Sequence, residues 1–270
     1  MADLLLHSLK EFDEIIFALL ERTGPRGVLE IGSETGVFSR RLLDRAARTG
    51  TRLTTIEPQP APELIEEARR SATFHLVVGY SLPFLEEHGC DAEFVLIDGD
   101  HNYFTVFNEL CLIDRSWAAN ATPGTIVLHD VGFPCARRDC YYEPERIPAS
   151  ARHPHSYALG VTLDRPALIS GGFRGAGHFA WAEREGGPRN GVLTAVEDFL
   201  STRPRYRYRS IDAVFGLGVI TVAGSAADAA AAEVLSPYDN ALIRRLERNR
   251  LELYLRVLEL QDQLAARRAV

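Results

Sequence analysis

Gly27-Val28-Leu29-Glu30-Ile31-Gly32-Ser33-Glu34-Thr35-Gly36 is the stretch whose reading decides the fold. A short, mostly apolar run enters a turn with glycines at 32 and 36, and a helical pattern follows over about 36–49. This reads as a buried strand turning sharply into a helix, the unit from which parallel sheets are wound. In open α/β sheets, ligands bind beyond the carboxyl ends of the strands. Gly32 and Gly36 therefore permit close backbone approach to a ligand. The spacing differs from G-x-G-x-x-G, so a pyrophosphate cradle is not indicated. Two glycines at a strand–helix turn are common, so the neighbouring elements must carry the argument.

The βα rhythm continues outward from that turn. Strands are expected at 52–56, 74–78, 93–97 and 125–128, with helices over 63–70, 82–88 and 104–115 between them. Upstream, apolar positions at helical spacing predict a helix over 3–22, stopped by Thr23-Gly24-Pro25. Residues 131–190 break the pattern with Pro, Gly, Arg and aromatic clusters. A segment that long without periodicity is functional or disordered. A helix over 192–200 restores the rhythm. Strands at 205–211 and 214–222, joined at Asp212-Ala213, then form an antiparallel hairpin. The expected fold is α/β: a doubly wound, mostly parallel seven-stranded sheet with a C-terminal hairpin, a long insertion and a C-terminal helix. Residues 1–222 form the main domain and the Ala-rich 223–238 a linker or weak helix. Residues 239–270 hold the last helix. There Ile243, Leu246, Arg250, Leu253, Val257, Leu260 and Leu264 follow heptad steps, which predicts pairing into a homodimer.

Composition sets bounds. The 270 residues carry a formal net charge of −7, so no global basic field for nucleic acid exists. The run Arg203-Pro204-Arg205-Tyr206-Arg207-Tyr208-Arg209 alternates with period two, as in a half-exposed strand. No apolar run reaches the roughly 20 residues of a membrane span. Four cysteines without a regular framework fit a reducing cytoplasm better than a disulfide scaffold.

Chemistry-bearing residues fall at strand ends. Glu57, closing the second strand, lies 25 residues past Gly32, the spacing at which an acid accepts the ribose hydroxyls of a nucleoside. Asp98-Gly99-Asp100-His101-Asn102-Tyr103 follows the fourth strand and His129-Asp130 the fifth. Those strands should be neighbours, which brings Asp98, His129 and Asp130 together as ligands for a divalent cation, Mg²⁺ or Mn²⁺. His101 is the expected general base. Helix caps and satisfied loop polars are the alternative.

These residues resemble a known family. Val28–Gly36 looks like motif I of class I S-adenosylmethionine-dependent methyltransferases. Leu96-Ile97-Asp98-Gly99-Asp100-His101-Asn102-Tyr103 and Ile126-Val127-Leu128-His129-Asp130 resemble signatures of a small-molecule branch. That branch is akin to macrocin-type and rhamnosyl O-methyltransferases and to cephalosporin hydroxylase-like proteins. The resemblance covers about residues 26–222. It implies an S-adenosyl-L-methionine pocket drawn from Glu30, Gly32, Ser33, Gly36, Glu57, Gly79, Tyr80, Ser81 and Asp98. It also implies a metal on Asp98 and Asp130, with His129 as third ligand, and Asp98 and His101 as the catalytic pair. One departure stands out: Glu34 occupies the middle glycine position of the family's G-x-G-x-G turn.

The implied reaction is metal-assisted O-methylation of a sugar or a glycosylated natural product. N-methylation of an amino sugar, metal-dependent hydroxylation or lyase chemistry, and an inactive partner subunit stay open, because a fold does not fix a function. Tyr103, Arg137, Arg138, Tyr141 and Tyr142 are the expected substrate contacts. His178 and Trp181 could line a lid over the substrate, with a disordered surface loop as the alternative. Cys135, Cys140, His153 and His155 could clip a zinc ion, although the His-x-His spacing is unusual.

Overall fold

The computed structural model describes residues 5–120 and 124–268. Residues 3 and 4 of the expected first helix, and 269 and 270 of the last, lie outside them. The first helix divides. The Ser8 hydroxyl accepts from Lys10 N and caps a 3₁₀ turn, Leu9–Phe12, before α1, Asp13–Thr23. Leu5 stays outside the helix and is buried.

The βα units follow in order: β1 (Gly27–Ile31), α2 (Val37–Thr49), β2 (Arg52–Glu57), α3 (Pro62–Arg70), β3 (Phe74–Val78), α4 (Ser81–His88), β4 (Phe94–Ile97), α5 (Tyr103–Asn120) and β5 (Thr125–His129). After the insertion come α6 (Val192–Ser201) and the hairpin β9 (Tyr206–Ile211) and β10 (Leu217–Val222). The seven-stranded sheet has the order β3-β2-β1-β4-β5-β10-β9. β10 pairs antiparallel with both β5 and β9, and the other pairs are parallel. Strand order reverses beside β1, between the β1–β2 and β1–β4 pairs. In open α/β sheets the ligand crevice opens at such a switch point. β1, β4 and β5 are buried along their whole length, as expected with helices on both faces.

One departure from the expected strands has a local cause. β10 begins three residues later than expected. Val214 and Phe215 take positive φ (46° and 66°) ahead of Gly216 (93°), which is incompatible with strand. The insertion is ordered around a second sheet, β6 (Cys140–Tyr141), β8 (Ala180–Ala182) and β7 (His155–Ser156), in the order β6-β8-β7. The Ala-rich stretch forms a helix, α7 (Ala226–Leu235), capped by Ser225 and packed on α1. The arginines of the Arg203–Arg209 run are largely pinned: Arg203 and Arg205 pair with Asp114, and Arg209 with Asp228.

The last helix, α8 (Ala241–Arg268), splits the expected heptad seam between two faces. Ile243 packs on the domain core. Arg250 donates to the Leu6 carbonyl (2.8 Å) and pairs with Glu247 (2.6 Å). Val257 faces the central cavity. Leu246, Leu253, Leu260 and Leu264 point outward, joined by Leu242. Among the described residues, no helix is long and apolar enough to cross a membrane.

Candidate active site

One cavity of about 1320 Å³ opens along the carboxyl ends of β1, β2, β4 and β5. That volume exceeds the usual range for a single small ligand, so two molecules fit side by side.

Its first half is built by the glycine turn. Gly32 sits at φ 85°, and a Cβ there would meet the Asp98 carbonyl oxygen at 2.3 Å. Close packing of the turn on the β4 end thus requires glycine. Glu34 takes φ 45° and turns its side chain to the cavity wall. Glu57 ties the turn to β2. Its Oε2 accepts from Ser33 N (2.9 Å) and Glu34 N (3.2 Å), and its Oε1 from Gln59 N (3.0 Å). Carboxylate oxygens carry further lone pairs for a ligand hydroxyl.

Gly79, Tyr80 and Ser81 line the same half. The Tyr80 hydroxyl donates to Glu143 (2.8 Å), and the Arg146 guanidinium lies 3.2 Å from the centre of its ring. Glu143 and Arg146 come from the insertion, and no pattern in the sequence marks them.

Not every expected cofactor residue reaches the cavity. Glu30 is buried beneath the turn and accepts from Thr55 Oγ1 (2.7 Å). Burial pushes its carboxyl up to about 7. Ser33 shapes the turn through Glu57, and Gly36 packs against Leu64.

Ser81 donates to Glu109 Oε1 at 2.5 Å, beneath the cavity floor. Burial raises the Glu109 carboxyl from 4.5 to about 8. The folded state therefore holds a proton that the unfolded chain releases above about 4.5, so stability falls as pH rises through that window. Glu109→Gln removes this penalty. Its melting temperature relative to wild type is expected to rise from pH 5 to pH 9, and a constant difference in thermal melts would refute the assignment.

The second half gathers the acids and imidazoles. His129 Nδ1 lies 3.1 Å from Asp98 Oδ1 and 3.0 Å from Asp130 Oδ2. Its Nε2 donates to the Val214 carbonyl at 2.8 Å, which leaves Nδ1 facing the two carboxylates. That carbonyl belongs to the strained Val214-Phe215 turn, so the late start of β10 positions the imidazole. Asp130 adopts φ 59°, a conformation Asp tolerates, and this folds its carboxylate back toward the cluster. His101 Nε2 stands 3.5 Å from Asp98 and 3.4 Å from Asp130. It is buried without a well-formed hydrogen bond among the described residues.

Burial disfavours charge on all four groups, but their mutual attraction outweighs it. Asp130 and Asp98 hold both imidazoles well above their ordinary pKa. The imidazoles in turn hold the two carboxyls below theirs.

The ligand atoms of Asp98, His129 and Asp130 lie within 4.8 Å of one another. Two carboxylates and an imidazole anchored through its other nitrogen suit a hard divalent cation. A second group, His101, Asp130 and Cys135, meets the same distance. Cys135, Cys140, His153 and His155 are not brought together as a metal clip. His153 Nε2 pairs with the Arg189 carbonyl (2.9 Å) and His155 Nδ1 with that of His153 (3.0 Å), whereas Cys135 and Cys140 line the cavity.

Of the expected substrate contacts, Tyr142 lines the cavity, its ring centre 5.7 Å from that of His101. The other four serve the scaffold. Asp139 Oδ1 accepts from Tyr103 N and Gly191 N, both at 2.7 Å, and Oδ2 from the Tyr141 hydroxyl at 2.7 Å. The Tyr103 hydroxyl donates to Asp198 (2.9 Å). Arg138 is buried and donates to the Ala182 and Pro166 carbonyls. Arg137 pairs with Glu197 of α6 (2.6 Å). A basic pair beside a cavity looks like a ligand site in sequence, but burial and pairing use these arginines to seat the insertion.

Phe173, Phe179 and Trp181 from the insertion, Phe215 from the hairpin connection and Tyr254 from α8 form an aromatic wall. Ring centres of neighbouring pairs lie 5.0–6.1 Å apart. His178 also reaches the cavity.

Sheet order, switch-point cavity and antiparallel final hairpin together define a Rossmann-like, doubly wound α/β fold. Residues 29–131 match the family model described as a methyltransferase domain. No curated protein matches the sequence. Among solved structures, an SAH-bound methyltransferase from Podospora anserina is 16% identical with a TM-score of 0.49, covering 80% of this chain and 79% of that one. A candidate caffeoyl-CoA O-methyltransferase from Staphylococcus aureus is 13% identical with a TM-score of 0.43, covering 77% of this chain and 81% of that one.

Proposed function

We propose that this chain transfers the methyl group of S-adenosylmethionine to a hydroxyl of a small-molecule acceptor, a sugar or a glycosylated natural product, with help from a divalent cation. The observation that carries the reading is one cavity shared by the Gly32–Glu57 turn and the Asp98–His101–His129–Asp130 cluster. The Gly32 turn and Glu57 would hold the cofactor, with the remaining Glu57 lone pairs available to its ribose hydroxyls. The acceptor lies against the aromatic wall, whose flat faces stack on the C–H face of a sugar ring or on an aglycone.

The acceptor oxygen attacks the methyl carbon in line with the sulfur. The carbon–sulfur bond breaks and its electron pair neutralises the sulfonium. Holding these atoms in line is the main service of the protein. His101 is placed to take the hydroxyl proton once the charge of Asp98 and Asp130 is compensated. A divalent cation held by Asp98, His129 and Asp130 would lower the pKa of the bound hydroxyl. The four thiols stand free, which suits a reducing cytoplasm.

The test is methyl transfer from labelled S-adenosylmethionine to a panel of sugars and glycosides, beside calorimetry with S-adenosylhomocysteine. Product with bound cofactor supports the reading, and failure to bind S-adenosylhomocysteine overturns it. Chelation should abolish transfer and added Mg²⁺ or Mn²⁺ restore it. Substituted Co²⁺ should bind without a thiolate charge-transfer band. Such a band would place the ion on Cys135 instead.

A further inference from the structure

We infer that this chain pairs with a second copy of itself through α8, antiparallel, with the two-fold axis passing beside Leu253. Leu242, Leu246, Leu253, Leu260 and Leu264 are 65%, 56%, 60%, 42% and 54% exposed. At 3.6 residues per turn they fall within an arc of about 40°, and at 1.5 Å per residue they extend over roughly 33 Å. A soluble surface rarely leaves so continuous an apolar stripe uncovered. The inward surface of α8, up to the edge of the stripe at Val257, is already used. Leu251 is buried, and Tyr254, Val257 and Leu258 line the cavity.

The spacing and the charges name the occupant. The five positions are symmetric about Leu253: 246 and 260 lie seven residues away, and 242 and 264 eleven. An antiparallel pair centred on Leu253 sets every leucine opposite a leucine, as a self-complementary two-fold interface requires. One flank of the stripe carries Arg245, Glu252, Arg256 and Glu259, all exposed. The antiparallel pairing brings Arg245 near Glu259 of the second copy and Arg256 near Glu252 of the second copy. A parallel pairing would set this flank against the other flank of the second copy, where Ile243 and Val257 already pack on their own domain, and would form neither contact. Arg245 and Arg256, alternating with Glu252 and Glu259 along one flank, therefore complement their own copies under the two-fold, and no unrelated partner is needed.

Sedimentation of the full chain at tens of micromolar is expected to give twice the 30.0 kDa monomer mass. Leu253→Asp, at an exposed position, is expected to give monomer with an unchanged circular dichroism spectrum. Under mild oxidation Leu253→Cys should cross-link to itself. Leu246→Cys should not, but should cross-link when mixed with Leu260→Cys. The wild type, whose own cysteines are buried or half-buried, controls for background. A monomer at 100 µM overturns the pairing, and equal self-cross-linking of Leu246→Cys and Leu253→Cys overturns its direction. A monomer that floats with anionic vesicles assigns the stripe to a membrane surface and overturns the proposal.

Discussion

Asp130→Asn is expected to lower methyl transfer by roughly 10²–10³-fold, the range seen when one preorganised electrostatic partner is removed from a reacting centre. Asparagine matches the side chain in shape and tolerates the left-handed backbone that Asp130 adopts at φ 59°, so the fold should survive. What is lost is the charge 3.0 Å from His129 and 3.4 Å from His101. Affinity for S-adenosylhomocysteine should stay within about threefold, because Asp130 faces the acceptor half. Single-turnover transfer and calorimetry together check this. Unchanged transfer would remove Asp130 from the reacting centre, and lost cofactor affinity would mean that the two halves of the cavity are wrongly assigned.

Gly32→Ala is expected to be the most damaging single methyl group in the first half of the cavity. The new Cβ would stand 2.3 Å from the Asp98 carbonyl oxygen and 2.6 Å from Gly99 Cα, both backbone atoms that cannot swing away. Left-handed strain adds about 1 kcal/mol, and forced movement of a packed backbone about 1–3 kcal/mol more. Gly24→Ala is the matched control. It shares a positive φ, 55°, but has nothing within 4 Å of its Cβ, so it bears the backbone cost alone. Thermal melts should separate the two, with S-adenosylhomocysteine binding lost only at position 32. Equal destabilisation would show that the Asp98 contact does not matter.

The sheet was legible because β1, β4 and β5 are short, largely apolar runs bounded by turns, and buried parallel strands leave that signature. The acids and imidazoles at their ends were legible for the same reason: a strand end fixes where its next residue lies. The insertion was not. Arg137, Arg138 and Tyr141 have the residue types of a substrate site, yet each is held by a partner that sequence spacing cannot reveal: Glu197, Ala182 and Asp139. Tyr103 misled similarly, since its hydroxyl meets Asp198, 95 positions on. The heptad on α8 was real as a pattern. Period alone could not tell that Val257 turns inward to the cavity while Leu253 turns out.

The two tryptophans of the chain occupy unlike places. Trp117 is sealed against Gly124 and donates to the Ala92 carbonyl at 2.8 Å. Trp181 donates to the Phe173 carbonyl at 2.9 Å from within the aromatic wall. Intrinsic emission therefore contains one chromophore set apart from the cavity and one on the wall itself. An acceptor can be titrated by ultraviolet fluorescence without a label, and Trp181→Phe supplies the blank.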